Sequence, residues 1–181
     1  TRYGLAAALL RARDFERAKR ELATLAAARV RHPMIAAMLG QVLVQNEEIP
    51  AAVRHYERAI AEFPTHWQLH YDLPEVLLRS KEPKRALTSL EKSLAKRPDD
   101  VQLLELAARA SAEAGYKMRQ HRFLGEQYAR QGNLRGAIDQ FELASKAGDG
   151  DYYEASYVEA RARELKREMQ AARRDERRTF F

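Results

Sequence analysis

Apolar residues recur at three- and four-residue spacings along nearly the whole chain, with charged residues between them. That is the pattern of amphipathic helices that each bury one face. Short polar turns and prolines divide the pattern. Arg13-Asp14, Asn46-Glu47-Glu48 and Lys81-Glu82-Pro83 supply turns, and Pro33, Pro64 and Pro98 punctuate the segments between them. Asp99 and Asp100 offer an N-cap, and Gly132-Asn133 and Gly148-Asp149-Gly150 interrupt the later part. The spacing predicts helices over residues 2–12, 14–30, 33–46, 49–62, 67–80, 83–96, 101–115, 117–131 and 134–146. A last helix starts near Asp151, with Tyr153, Tyr157, Ala160 and Leu165 on its apolar side. Its stripe ends at Met169, so residues 171–178 are expected to fray.

The helices come in repeating pairs. Ala18, Ala52 and Ala86 are 34 residues apart, as are Pro64 and Pro98. Leu39-Gly40-x2-Leu43 precedes Ala52-x3-Tyr56-x2-Ala59, and Leu73-Pro74-x2-Leu77 precedes Ala86-x3-Leu90-x2-Ser93. Small residues at matched places allow two antiparallel helices to cross closely, and large ones fill the seam to the next pair. A fixed period of this length resembles tetratricopeptide repeats. The resemblance implies an all-α solenoid of about ten helices in a right-handed superhelical arc. Its hairpins lie near 2–30, 33–62, 67–96, 101–131 and 118–147, so residues 1–150 form the solenoid and 151–181 a capping helix with a basic, partly frayed end. The overlap at 118–131 follows from one interval: Ala86 to Ala137 is 51 residues, one period and a half, as if a single helix had been inserted and serves two hairpins. Pro74 breaks the repeat where glycine or alanine is expected, and implies a local kink.

Composition removes several function classes. The 181 residues include no cysteine, which excludes disulfides, thiolate metal sites and cysteine nucleophiles but leaves the compartment open. No window approaches the roughly 18 uninterrupted apolar residues of a membrane span. Thr1 suggests a piece of a longer or processed protein. The net charge is +6, but +4 of it falls between Arg161 and Arg178. Arg173-Arg174 and Arg177-Arg178 are diluted by Asp175 and Glu176, which argues for a solvated helix end, no nucleic acid, and at most peripheral membrane contact.

Candidate chemistry is sparse. His66 and His70 stand at i and i+4, but Trp67 occupies the place of the glutamate that a zincin helix uses as general base. No phosphate loop or dinucleotide fingerprint is present, so the chain as given is expected to be no enzyme, with no catalytic or metal residues. In tetratricopeptide proteins the first helix of each hairpin lines the groove. That mapping implies a peptide-binding face of Tyr3, Met38, Gln41, Gln45, Gln68, Tyr71, Asp72, Glu75, Arg79, Glu105, Arg109, Arg119, Arg122, Glu126 and Arg130. A lysine and asparagine clamp for acidic chaperone tails is not matched. Apolar and amide groups in the first half, and mixed charges in the second, suit a polypeptide ligand.

The last third narrows the resemblance. The inserted helix at Gly115–Gly132 is followed by Leu143-Ala144-Ser145-Lys146-Ala147-Gly148. Asp149-Gly150-Asp151-Tyr152-Tyr153-Glu154 then leads to Ala160-Arg161-Ala162-Arg163. Together these resemble the C-terminal module of BepA-type periplasmic zinc metalloproteases of Gram-negative bacteria. The resemblance implies a periplasmic interaction module that recognises outer-membrane proteins or their assembly machinery, and docks on the protease domain of the same polypeptide. Zinc is then expected only in that domain, outside this chain. The alternative is a free-standing adaptor, cytoplasmic or otherwise, with no protease.

Overall fold

A computed structural model describes residues 1–28 and 30–179, the last five as backbone only. The described residues form ten α-helices and no strands: α1 (Arg2–Arg11), α2 (Phe15–Ala27), α3 (Pro33–Gln45), α4 (Ile49–Glu62), α5 (Trp67–Arg79), α6 (Pro83–Leu94), α7 (Val101–Glu113), α8 (Lys117–Arg130), α9 (Leu134–Ala147) and α10 (Tyr152–Thr179). They fall into two compact units, Thr1–Glu82 and Pro83–Phe181.

One turn geometry recurs at the sequence period. Arg13, Glu47 and Lys81 each have φ of 61°, and Gly115 has 81°. These four residues are 34 apart. After each, a backbone N–H reaches back to close the helix: Asp14 N to Leu9 O, Glu48 N to Leu43 O and Glu82 N to Leu77 O at 2.9 Å, and Tyr116 N to Ser111 O at 2.8 Å. This left-handed C′ residue satisfies carbonyls that a helix end leaves bare. A fifth copy follows after only 17 residues, with Gly132 at 77° and Asn133 N on Tyr128 O at 2.9 Å. Helix α8 therefore lies between two such turns and packs against α7 on one side and α9 on the other. That is the physical form of the half-period insertion.

The small residues occupy the close crossings. Ala18, Ala52, Ala86 and Ala137 are all fully buried. A Cβ on Gly40 of α3 would fall 2.5 Å from Cε1 of Tyr56, and one on Gly125 of α8 would fall 2.7 Å from Cε2 of Phe141. The large residues fill the seams. In the first unit Leu9, Leu22 and Val42 pack together, with Leu25 and Leu39 beside them. In the second, Met118, Ile138, Phe141, Val158 and Leu165 form a cluster that docks α10 on α9.

Helix α5 runs from Trp67 to Arg79 as one helix, close to the expected 67–80, with Pro74 buried inside it. One element differs from the sequence reading. Helix α10 continues to Thr179, beyond the end of its apolar stripe. Alanine, arginine and glutamate are good helix formers, and nothing after Gly150 breaks the chain. No helix of the described residues is long and apolar enough to cross a membrane.

Candidate functional site

The first unit contains a cleft of about 640 Å³ bounded by α1, α3, α4 and α5. Its apolar wall is Tyr3, Met34, Ala37, Met38, Val44 and Val76, and Gln41, Gln45 and Gln68 bring amides to it. Tyr56, His66, Asp72, Glu75 and Arg79 complete the lining. Helical spacing explains the row: Met34, Met38, Gln41 and Gln45 are three or four apart on α3, as are Gln68, Asp72, Glu75 and Arg79 on α5. Eight of the residues mapped from the repeat pattern thus meet here. Tyr71 is half-buried on α5 but does not line the cleft.

The polar floor is organised around Asp72. Its carboxylate accepts from Gln68 Nε2 at 2.7 Å and from the Tyr56 hydroxyl. Burial raises the Asp72 pKa above the usual carboxylate range, and Glu75 one turn on pushes it the same way. The Tyr56 phenol is held neutral, first by burial and then by the Asp72 charge. Gly40 permits this arrangement, because any side chain there would strike the Tyr56 ring.

The two histidines at i and i+4 take separate places. His66 lines the cleft, while His70 is buried, stacks on Trp67 at 4.7 Å between ring centroids, and reaches the Pro64 carbonyl with Nε2 at 3.1 Å. Among the described residues no three histidine, aspartate or glutamate side chains gather as a metal site.

In the second unit the mapped residues do not form one open face. Glu105 and Arg109 are exposed on α7. Glu126, expected in the groove, is only 6% exposed and faces α10. It accepts from the Tyr157 hydroxyl, from Arg161 Nε at 3.2 Å and from Arg130 Nη1 at 2.7 Å. Arg130 also binds Asp99 at 2.6 Å. Arg119 is held by Glu154 at 2.6 Å and Glu91 at 3.3 Å. The Arg122 guanidinium lies 4.6 Å from the Phe123 ring centre and 5.6 Å from that of Tyr157. Burial and the bond to Glu126 push the Tyr157 phenol up to about 12. These side chains fasten α10 onto α8. The sequence mapping missed this because it placed α8 in an open row and left α10 only an apolar docking stripe. The basic pair Arg177-Arg178 has side chains outside the described residues, and Arg173 and Arg174 are exposed.

The Gly-Asp-Gly-Asp-Tyr-Tyr-Glu run has a structural explanation. Gly148 takes the left-handed conformation after α9. Asp149 caps α8 from a distance, accepting from Lys117 N at 2.6 Å and Met118 N at 2.8 Å. Asp151 and Glu154 form a reciprocal capping box at the start of α10, with Glu154 N on Asp151 Oδ1 at 2.8 Å and Asp151 N on Glu154 Oε2 at 3.4 Å.

Two tetratricopeptide-repeat profiles match the sequence, over residues 3–66 and 43–110. No curated protein matches significantly. Solved structures similar in fold include the following three. MamA of Desulfovibrio magneticus RS-1 has a TM-score of 0.64 at 20% identity, covering 92% of this chain and 94% of its own. TTC0263, a thermophilic tetratricopeptide protein of Thermus thermophilus, has 0.53 at 15%, covering 91% and 96%. YrrB, described as a tetratricopeptide protein with an unusual peptide-binding site, has 0.54 at 19%, covering 88% and 90%. At these identities the likeness is one of fold.

Proposed function

The chain carries tetratricopeptide repeats in a solenoid of that fold, and we propose that it works by holding a segment of another polypeptide in the cleft of its first unit. The observation that carries this reading is the cleft's lining, where apolar side chains run beside three glutamine amides and one half-buried carboxylate. Apolar pockets give a peptide side chain somewhere to bury, and amides can both donate to and accept from its backbone. The second unit supports α10 with its charged residues, which makes it the weaker candidate. Binding rather than catalysis follows from the same lining.

The test uses peptides displayed from a random 12-residue library and selected on the intact chain. Clones should bind the parent and lose affinity for Gln41→Trp, whose ring fills the cleft. Clones insensitive to Gln41→Trp, with the variant folded, would refute this location.

The narrower proposal concerns the cellular setting. On the resemblance of its last third to BepA-type modules, the protein is a periplasmic module serving a zinc metalloprotease that acts on outer-membrane proteins or their assembly machinery. This tie rests on that sequence resemblance alone. The natural reading frame tests it: an upstream HExxH domain would support it, and an intact frame without one would leave an adaptor.

A further inference from the structure

The charges in the cleft say what its occupant carries. Asp72 is anchored by two neutral donors, Gln68 Nε2 and the Tyr56 hydroxyl, and no lysine or arginine of the described residues forms an ion pair with it or with Glu75. The bases on the same lining are His66, whose charge would act on Asp72, and Arg79, one turn beyond Glu75. Two carboxylates one turn apart, Asp72 half-buried and Glu75 exposed, thus face an open cleft whose other walls are apolar side chains, amides and these two bases. The half-buried position of Asp72 lowers the dielectric around it, which strengthens its attraction for an incoming cation, and Glu75 adds its charge from the cleft's edge. A carboxylate fixed by two hydrogen bonds is also preorganised, because it loses little freedom when a cation arrives.

Building on the cleft as the binding site, we propose that its occupant is a polypeptide segment presenting a lysine or arginine between Asp72 and Glu75. An adjacent aliphatic side chain of that segment lies on Met34, Met38 and Val44. The charge complementarity is the argument for this occupant: an acidic segment would place like charges beside Asp72 and Glu75, and a neutral one would leave both carboxylates without a cation.

The experiment takes one clone from the library selection and makes three synthetic versions with lysine, glutamine or glutamate at each basic position in turn. Affinities for the full chain are read by fluorescence anisotropy at two salt concentrations. The lysine version should bind about tenfold or more tighter than the glutamine version, and the glutamate version should be weakest. Asp72→Asn with Glu75→Gln should erase the difference between lysine and glutamine, and a lysine preference that survives in this folded variant would overturn the assignment. Circular dichroism and Trp67 fluorescence confirm that this variant is folded.

Peptides that bind, are blocked by Gln41→Trp, and show no charge preference would overturn the cation assignment and leave the cleft reading intact. Peptides that ignore Gln41→Trp would overturn both. A complex formed only between copies of the chain, with no peptide selected, would overturn the assignment in favour of self-association.

Discussion

Gly40→Ala tests whether the helix crossing that builds the cleft tolerates even one added carbon. The built Cβ lies 2.5 Å from Cε1 and 2.7 Å from Oη of Tyr56, whose ring is 2% exposed. Carbon contacts are comfortable near 3.5–4.0 Å, so the ring or α3 must move by about 1 Å. Overpacking of this kind costs roughly 1–3 kcal/mol. Exchanging glycine for alanine inside a helix returns about 1 kcal/mol. Displacing Tyr56 also weakens its hydrogen bond to Asp72, and a bond to a charged group is worth about 1.5–3 kcal/mol. The net expectation is a loss of about 2 kcal/mol. Urea unfolding followed by fluorescence suits the measurement, because Trp67 is the single tryptophan and lies in the same unit. Tyr56→Leu removes the obstructing ring, so in its background Gly40→Ala should cost little or become favourable, a coupling of about 1 kcal/mol or more. An unchanged or raised midpoint for Gly40→Ala alone would refute the close-crossing argument.

Removing the distant cap with Asp149→Ala should destabilise by about 1–2 kcal/mol in thermal melts, since two N–H groups of the first turn of α8 lose their acceptor; Asp149→Asn should recover part of it. Gly115→Ala puts a side chain at φ of 81° with nothing within 4 Å, so its effect is backbone strain alone, roughly 1 kcal/mol in urea melts. Lys81→Gly, at the matching turn with φ of 61°, should move stability up by about 0.5 kcal/mol. For pH, burial holds the His55 imidazole below its ordinary 6.5, with Nε2 on the Ala36 carbonyl at 2.7 Å. As pH falls through about 6.5 the unfolded chain takes this proton first, so stability declines until the folded His55 also titrates. Asp72 acts in the opposite sense at lower pH, because its raised pKa lets the folded state protonate first. Urea midpoints at pH 7.5 and 5.5 should therefore differ less for His55→Gln than for the parent.

The elements were readable because their signals are local. Prolines, turn residues and three-to-four spacing mark helix ends, and the same 34-residue interval separates the buried alanines and the left-handed turns. The 51-residue interval likewise revealed α8 as an extra helix. The first half of the groove was legible for the same reason, since α3 and α5 present residues at a period that one helix face repeats. The second half was not. Whether Glu126, Arg119 and Arg130 face solvent or another helix depends on where α10 lies, and α10 is fastened partly by hydrogen bonds and ion pairs that leave no apolar stripe to read. Asp149 shows the same limit from the other side: a residue that reads as part of a helix stop caps a helix 32 positions earlier in the chain. Pro74 departs from the repeat pattern, and α5 runs through it as one helix.

The chain's four methionines offer the most direct test of the cleft as the binding site. Met34 and Met38 line it, whereas Met118 and Met169 belong to the core cluster of the second unit. With methyl-13C methionine, each gives its own signal, assigned by single Met→Leu variants. Adding a selected peptide should shift or broaden Met34 and Met38 and leave Met118 and Met169 in place. Saturating peptide that moves Met118 or Met169 while Met34 and Met38 stay fixed would contradict the assignment of binding to the first unit.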